Sequence, residues 1–240
     1  MNETTDKPAV RRDWDSPHEP AMSRARLAGL VAVITLLLLW ISAIELVLTR
    51  SLLVTVVITL LLAALVAGGT GLRSKAMLRK LKARAATGKE AARLRNLSAG
   101  VAGDLGIPAP ELWVLPEGGP NALVCLTPRP AIAVTSTLLN DATRTQLEAV
   151  VAHCLVRLAS PGMRALGLAT QLGPLGRPFA PRVGLDDDIR TAALIRYPPA
   201  LAAAIENADP APPRYGPVWF VARSSSHRPP AERVEALRDL

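Results

Sequence analysis

Residues 27–48 read LAGLVAVITLLLLWISAIELVL and residues 51–68 read SLLVTVVITLLLAALVAG, with only Thr49 and Arg50 between the two runs. An α-helix rises 1.5 Å per residue, so about 20 apolar residues cross the hydrocarbon core of a bilayer. Each run is therefore read as a spanning helix, the second only just long enough. Residues 27–70 form a hairpin with a two-residue turn. A secretory leader would have a shorter apolar stretch followed by a small-residue cleavage site, with no second run directly after it. Glu45 is the one charged residue in the first run. It lies near one end, where a carboxylate reaches interfacial water, and a structural role is assigned to it rather than a proton relay.

The flanks orient the hairpin. Arg11, Arg12, Arg24 and Arg26 precede it, Arg73, Lys75, Arg79, Lys80, Lys82, Arg84, Lys89, Arg93 and Arg95 follow it, and the tip carries Arg50 alone. Basic residues collect on the cytoplasmic side. The reading is thus a two-pass protein of the cell membrane with both termini and the globular part in the cytoplasm. The 240 residues carry a net charge of +8, half of them are apolar, and only 3% are aromatic. The positive mean hydropathy of +0.25 comes mainly from the two runs. Because the positive charge is juxtamembrane, anionic lipid headgroups are the expected partner. Nucleic acid is excluded, since the stacking aromatics that single strands need are not interleaved with the basic residues. Cys125 and Cys154 are the only cysteines, and their separation implies neither a disulfide framework nor a metal cluster.

Outside the hairpin the chain divides into a tail and a domain. Residues 1–26, with several prolines and mixed charges, read as a disordered cytoplasmic tail, and residues 73–240 as a cytoplasmic domain. From 73 to about 103 the periodicity is helical, as one amphipathic helix leaving the membrane and then a second. Short strands are expected at 111–115, 122–126 and 131–135, forming a small sheet. Asn140 or Asp141 is placed as the cap of a core helix over 143–159. Residues 160–183 are rich in Gly and Pro and read as irregular, too broken to span a bilayer. A helix is expected over 186–195, another over 200–207, a strand at 218–221, and a terminal helix from 229 with proline in its first turn. The class is α+β, mostly helical.

The order of several segments carries a resemblance. Gly106-Ile107-Pro108 is followed by Glu111-Leu112-Trp113-Val114, Asn121-Ala122-Leu123-Val124, Ala133-Val134-Thr135-Ser136 and Leu138-Leu139. Downstream come Arg196-Tyr197-Pro198-Pro199-Ala200-Leu201 and Ser226-His227-Arg228-Pro229-Pro230 with Glu232-Arg233-Val234. This series resembles the HtpX-type membrane zinc metalloproteases over nearly the whole chain. The resemblance implies a zincin-like metalloprotease domain after the hairpin, with Gln146 to His153 on its active-site helix.

At the catalytic segment the likeness breaks. Such proteases use H-E-x-x-H, because helical residues four apart share a face and two imidazoles then grip one zinc while the Glu activates water. Here the stretch is His153-Cys154-Leu155-Val156-Arg157. Cys154 stands in place of the general base, and Arg157 brings a permanent positive charge to the second ligand position. Counting back from Arg196-Tyr197-Pro198 puts Gly184 on the third ligand and Asp188 on the acid that orients the first histidine. Only His153 of the ligand set is retained, so neither metal nor catalytic residues are expected. His153 and Asp188 are read as a vestige of the site that keeps its hydrogen bond. Arg157 is placed in an ion pair with Asp186, Asp187 or Asp188. Taken by itself, that acidic triplet reads as charge compensating a helix N-terminus rather than as a calcium loop. Cys154 falls on an apolar face as a buried thiol, not part of a dyad with its neighbour His153. His227 reads as a loop or capping residue, and Trp219 and Phe220 as core.

The function expected is a catalytically inactive pseudopeptidase that binds or regulates at the cytoplasmic face. Asn121, Ala122, Leu123 and Val124, with the strand at 131–135, are the candidate edge for adding an extended peptide as a strand. Unfolded or membrane-protein segments, as in protein quality control, and an active paralogous protease are the partners considered. Two alternatives are an active zinc metalloendopeptidase with non-standard ligands and a structural membrane scaffold. Richness in Ala, Arg and Pro suggests bacterial coding of high GC content.

Overall fold

The structure, a computed structural model, describes residues 19–126, 129–160, 162, 163, 165, 166, 184–213, 215–224 and 227–240. Two long helices open it, α1 over Glu19–Thr49 and α2 over Leu52–Lys80. They pack on each other, and a 2.6 Å hydrogen bond joins Ser42 Oγ to Thr59 Oγ1 across the seam. Arg50, in the left-handed region at φ 50°, makes the reversal. Ala28–Thr49 is long and apolar enough to cross a membrane, whereas the apolar stretch described in α2 is the shorter Leu52–Ala64. Leu36, Trp40, Val47 and Leu53 are all more than half exposed. An apolar surface of this extent needs a cover other than water.

Two boundaries differ from the sequence reading. Residues 19–26 are already helix rather than tail, and residues 1–18 lie outside the described residues. The helix expected from 73 is not separate from the second apolar run: one helix continues unbroken to Lys80. Its last turns are held by the domain: Met77 and Leu78 are buried in a core with Leu115, Leu123, Cys125, Ala131, Ala133 and Trp219. Ser74 Oγ also donates to the carbonyl of Leu126 at 3.0 Å. Periodicity makes these turns helical, and packing on the domain buries one of their faces.

After a turn at Lys82, the short strand β1 (Arg84–Ala85) leads to α3 (Gly88–Asp104), β2 (Glu111–Leu115), β3 (Ala122–Leu126) and β4 (Pro130–Thr135). The sheet order is β1-β2-β4-β3, with β2 and β4 parallel and the other two pairs antiparallel. The strand period of two divides the side chains. Ala122, Val124, Ile132 and Val134 enter the main core with α3 and the long core helix, while Leu123, Cys125, Ala131 and Ala133 meet the end of α2. The sheet is thus covered on both faces, on one of them by a helix arriving from the apolar hairpin.

β4 runs into the short α4 (Ser136–Asp141), and α5 (Arg144–Ala159) follows. The cap of α5 is Thr143, not Asn140 or Asp141: its hydroxyl accepts from Gln146 N, and Gln146 Oε1 accepts from Thr143 N. This capping box satisfies two end donors reciprocally. Every residue from Ala149 to Arg157 is buried, so α5 is the central helix. Most of residues 160–183 lie outside the described residues, but Gly162, Met163, Ala165 and Leu166 are helical where irregular chain was expected. Three helices complete the domain: α6 (Leu185–Leu194), α7 (Pro199–Glu206) and α8 (Pro230–Arg238). The strand expected at 218–221 is instead a 3-10 turn over Gly216–Val218, followed by single bridges Leu123 to Trp219 and Ala211 to Ala222.

Candidate functional site

Helical spacing brings His153 and Arg157 of α5 to one face, and α6 is packed against that helix. Gly184 caps α6 at φ 138° and ψ −110°, a backbone conformation open essentially only to glycine. A Cβ there would also come within 3.3 Å of Arg228 Cβ. At the position that the resemblance assigns to a ligand glutamate, any side chain would therefore be strained.

His153 is fully buried, and its Nδ1 lies 3.2 Å from Asp188 Oδ1. Neither ring nitrogen makes an aligned hydrogen bond, so the contact is close but oblique. The ring packs edge-on against Phe220 with centroids 5.0 Å apart. Burial pulls the imidazole pKa below its usual value and Asp188 opposes the fall only in part. The ring is neutral at pH 7.

Asp188 is the centre of the cluster. Arg233 of α8 grips it in a bidentate pair, Nε to Oδ2 at 2.6 Å and Nη2 to Oδ1 at 2.7 Å, with both side chains fully buried. Burial alone would raise the Asp188 carboxyl, but the guanidinium outweighs it and holds the pKa at about 2. Arg233 also donates to the carbonyl of Phe220 at 2.9 Å. A planar fork that meets both carboxylate oxygens is the arginine geometry best suited to a dry site.

Arg157 fills the remaining space. Its Nε is 3.6 Å from Asp187 Oδ2, Nη1 donates to Trp219 O at 2.9 Å, and Nη2 donates to Pro217 O. The guanidinium is 2% exposed and Asp187 19%. Burial raises the Asp187 carboxyl, and the Arg157 charge offsets part of that rise. Asp186 is exposed and takes no part, so two of the three acids neutralise arginines rather than simply decorating a helix start. Two carboxylates face two guanidiniums, and the cluster closes on itself electrically.

Such a cluster does not fit zinc. His153, the one ligand the resemblance implies, has a buried guanidinium one turn further on, and Gly184 has no side chain to offer. No group of three His, Cys, Asp or Glu able to hold a metal occurs among the described residues. Cys154 is buried in the main core, where burial pushes its thiol up to about 12, so it supplies neither a base nor a thiolate.

The candidate peptide edge is also filled, which corrects that reading. Asn121, Ala122, Leu123 and Val124 are at most 2% exposed. Ala122 O accepts from Phe220 N at 2.7 Å. The Asn121 amide donates to Asp209 O and Val221 O, and its Oδ1 accepts from Ala122 N. β4 lies inside the sheet between β2 and β3. Strand addition here would first have to displace these partners.

Arg233 is the principal residue that reading the sequence for a site passes over. Its signal lies in α8, where Arg233, Val234 and Leu237 are the buried positions: an arginine on an apolar stripe announces a buried acid. His227 is buried as well, its Nε2 3.0 Å from Trp219 O. Burial lowers its pKa to about 4, so the ring is neutral and donates that bond. A separate open groove of about 760 Å³ runs between the start of α5, α7 and the end of α8, past Gln146, Tyr197, Glu206 and Arg238. No protein-family model matches the chain, and no curated protein matches it.

Proposed function

We propose that the chain is a membrane-anchored, catalytically inactive pseudopeptidase of the HtpX type, two-pass, with its domain on the cytoplasmic face. What carries this reading is the placement of Arg157. It stands one helical turn after His153, buried, against the acidic helix that in active relatives would bear a ligand. A guanidinium there puts a fixed positive charge where a cation would sit, and Asp188 is taken up by Arg233 instead of serving only to orient His153. The apolar exposed length of α1 supports the anchor, and the basic flank after the hairpin supports the cytoplasmic side. Because the β3 edge is closed, a binding or regulatory role has to use another surface of the domain.

The test is metal content and proteolysis of the full chain in mild detergent, after dialysis against zinc. Zinc well below one equivalent and no cleavage of an unfolded substrate are expected. One equivalent of zinc that His153→Ala removes, together with proteolysis lost in that variant, overturns the proposal in favour of an active enzyme. Co-purification separates binding from scaffolding: a pseudopeptidase retains a protease or client exchangeably, whereas a scaffold stays in a fixed assembly.

A further inference from the structure

α2 does not connect to the domain through a linker. It enters the domain as one of its layers. From Leu52, about 20 residues of helix cross a hydrocarbon core, which brings the chain to the level of Gly71 and Leu72. Two residues later Ser74 is bonded to Leu126 at the end of β3, and one turn later Met77 and Leu78 are buried under the sheet. A straight helix fixed at both levels leaves the sheet little freedom to move away from the bilayer.

The opposite face of the same turns is free of the domain. Leu72 is 65% exposed, and Lys75, Arg79 and Lys80 are exposed beside it. Leu72, Lys75 and Arg79 follow at i, i+3 and i+7, one stripe of the helix, with Ala76 and Lys80 on the adjoining one. Neighbouring cations are committed elsewhere: Lys82 pairs with Glu117 and Arg84 with Glu90. No acidic side chain pairs with Lys75, Arg79 or Lys80 among the described residues. An apolar side chain at the interface with three unneutralised cations just above it matches an anionic lipid surface, acyl chain below and phosphate above.

We infer that Leu72, Lys75, Arg79 and Lys80, the outward face of the last turns of α2, form a seat for anionic phospholipid headgroups that holds the sheet against the bilayer. This rests on the membrane reading proposed above. The full chain is placed in nanodiscs of phosphatidylcholine and phosphatidylglycerol in equal parts, and the lipid retained after detergent exchange is quantified by mass spectrometry. Phosphatidylglycerol is expected to be enriched. The Lys75→Gln, Arg79→Gln, Lys80→Gln variant should lower that enrichment by about fivefold or more, since one basic residue near an anionic surface is worth about that factor. A control that removes as many exposed cations elsewhere, Lys89→Gln, Arg95→Gln, Arg196→Gln, should retain it. Equal enrichment in the wild type and the α2 variant, or an equal loss in the control, overturns the seat while leaving the anchor intact. A chain that stays soluble without detergent and does not enter the discs overturns the anchor, and the seat with it.

Discussion

Replacing Arg233 by Met removes the cation from a fully buried carboxylate while keeping much of the side-chain volume. Asp188 then keeps only the oblique contact with a neutral His153. Breaking a buried pair by taking one partner costs about 3–5 kcal/mol, because the other charge is left without compensation. For a domain of this size about 1 kcal/mol corresponds to 2–4 °C in Tm, so Arg233→Met should unfold about 6–20 °C below the wild type. Adding Asp188→Asn should recover most of that loss, since a neutral amide costs far less to bury than an unpaired carboxylate. The assay is thermal unfolding of the full chain in mild detergent, followed by near-UV circular dichroism of Trp113 and Trp219. The same pair predicts an acid limb. The folded pKa of Asp188 is about 2 against an ordinary 3.8. Stability from this group is therefore complete above about pH 4 and is lost as pH falls toward 2, by about 2 kcal/mol. In Asp188→Asn that limb should flatten. A Tm for Arg233→Met within about 3 °C of wild type, or no recovery in the double variant, would refute the argument that this pair is a closed buried charge cluster.

The other expectations concern neighbouring groups. Gly184→Ala should cost about 1–3 kcal/mol through backbone strain alone, read as a lower Tm. A glutamate placed there to restore a ligand should suffer at least as much. His227, with a folded pKa near 4 against 6.5, stays neutral in the fold while the unfolded chain protonates. Its contribution is complete above about pH 6.5 and declines toward pH 4 by about 3 kcal/mol, a higher window than that of Asp188. His227→Gln should remove the decline in urea titrations run across that range. Cys125 and Cys154 are both buried, with thiols pushed up to about 12 by burial. A thiol reagent should modify neither until the protein is unfolded; rapid native labelling of Cys154 would show that the main core opens, and of Cys125 that the core against α2 does.

Much of the local structure was legible along the chain because its signals are local. The strands at 111–115 and 122–126 stand where short, mainly apolar runs lie between proline- and glycine-bearing turns. The terminal helix begins on its prolines at 229 and 230. Asn140, Asp141 and Thr143 are all competent caps for α5, so residue type alone does not choose among them. What selected Thr143 is its pairing with Gln146, while α4 takes Asn140 and Asp141 into its own last turn. The segment 218–221 has the composition of a strand, yet it gives its carbonyls to Arg157 and Arg233 and one amide to β3. It is shaped by guanidiniums that lie far from it in sequence.

The sequence by itself determined the apolar helix at the start, the helical character of the chain, the small sheet, and the four-residue spacing that puts His153 and Arg157 on one helix face. Each depends on residue type and on spacings of a few residues, which the backbone periods translate directly into faces. Only the tertiary structure decided which charges meet. Arg233 and Asp188 are 45 residues apart, and Asp187 rather than Asp186 faces Arg157 because of how α6 is rotated against α5. It also decided that the β3 edge is filled and that α2 runs on into the domain's second core. Hydropathy records where a helix leaves an apolar medium. Periodicity keeps the chain helical beyond that point, but what buries Met77 and Leu78 is the sheet, and that surface exists only once the chain has folded.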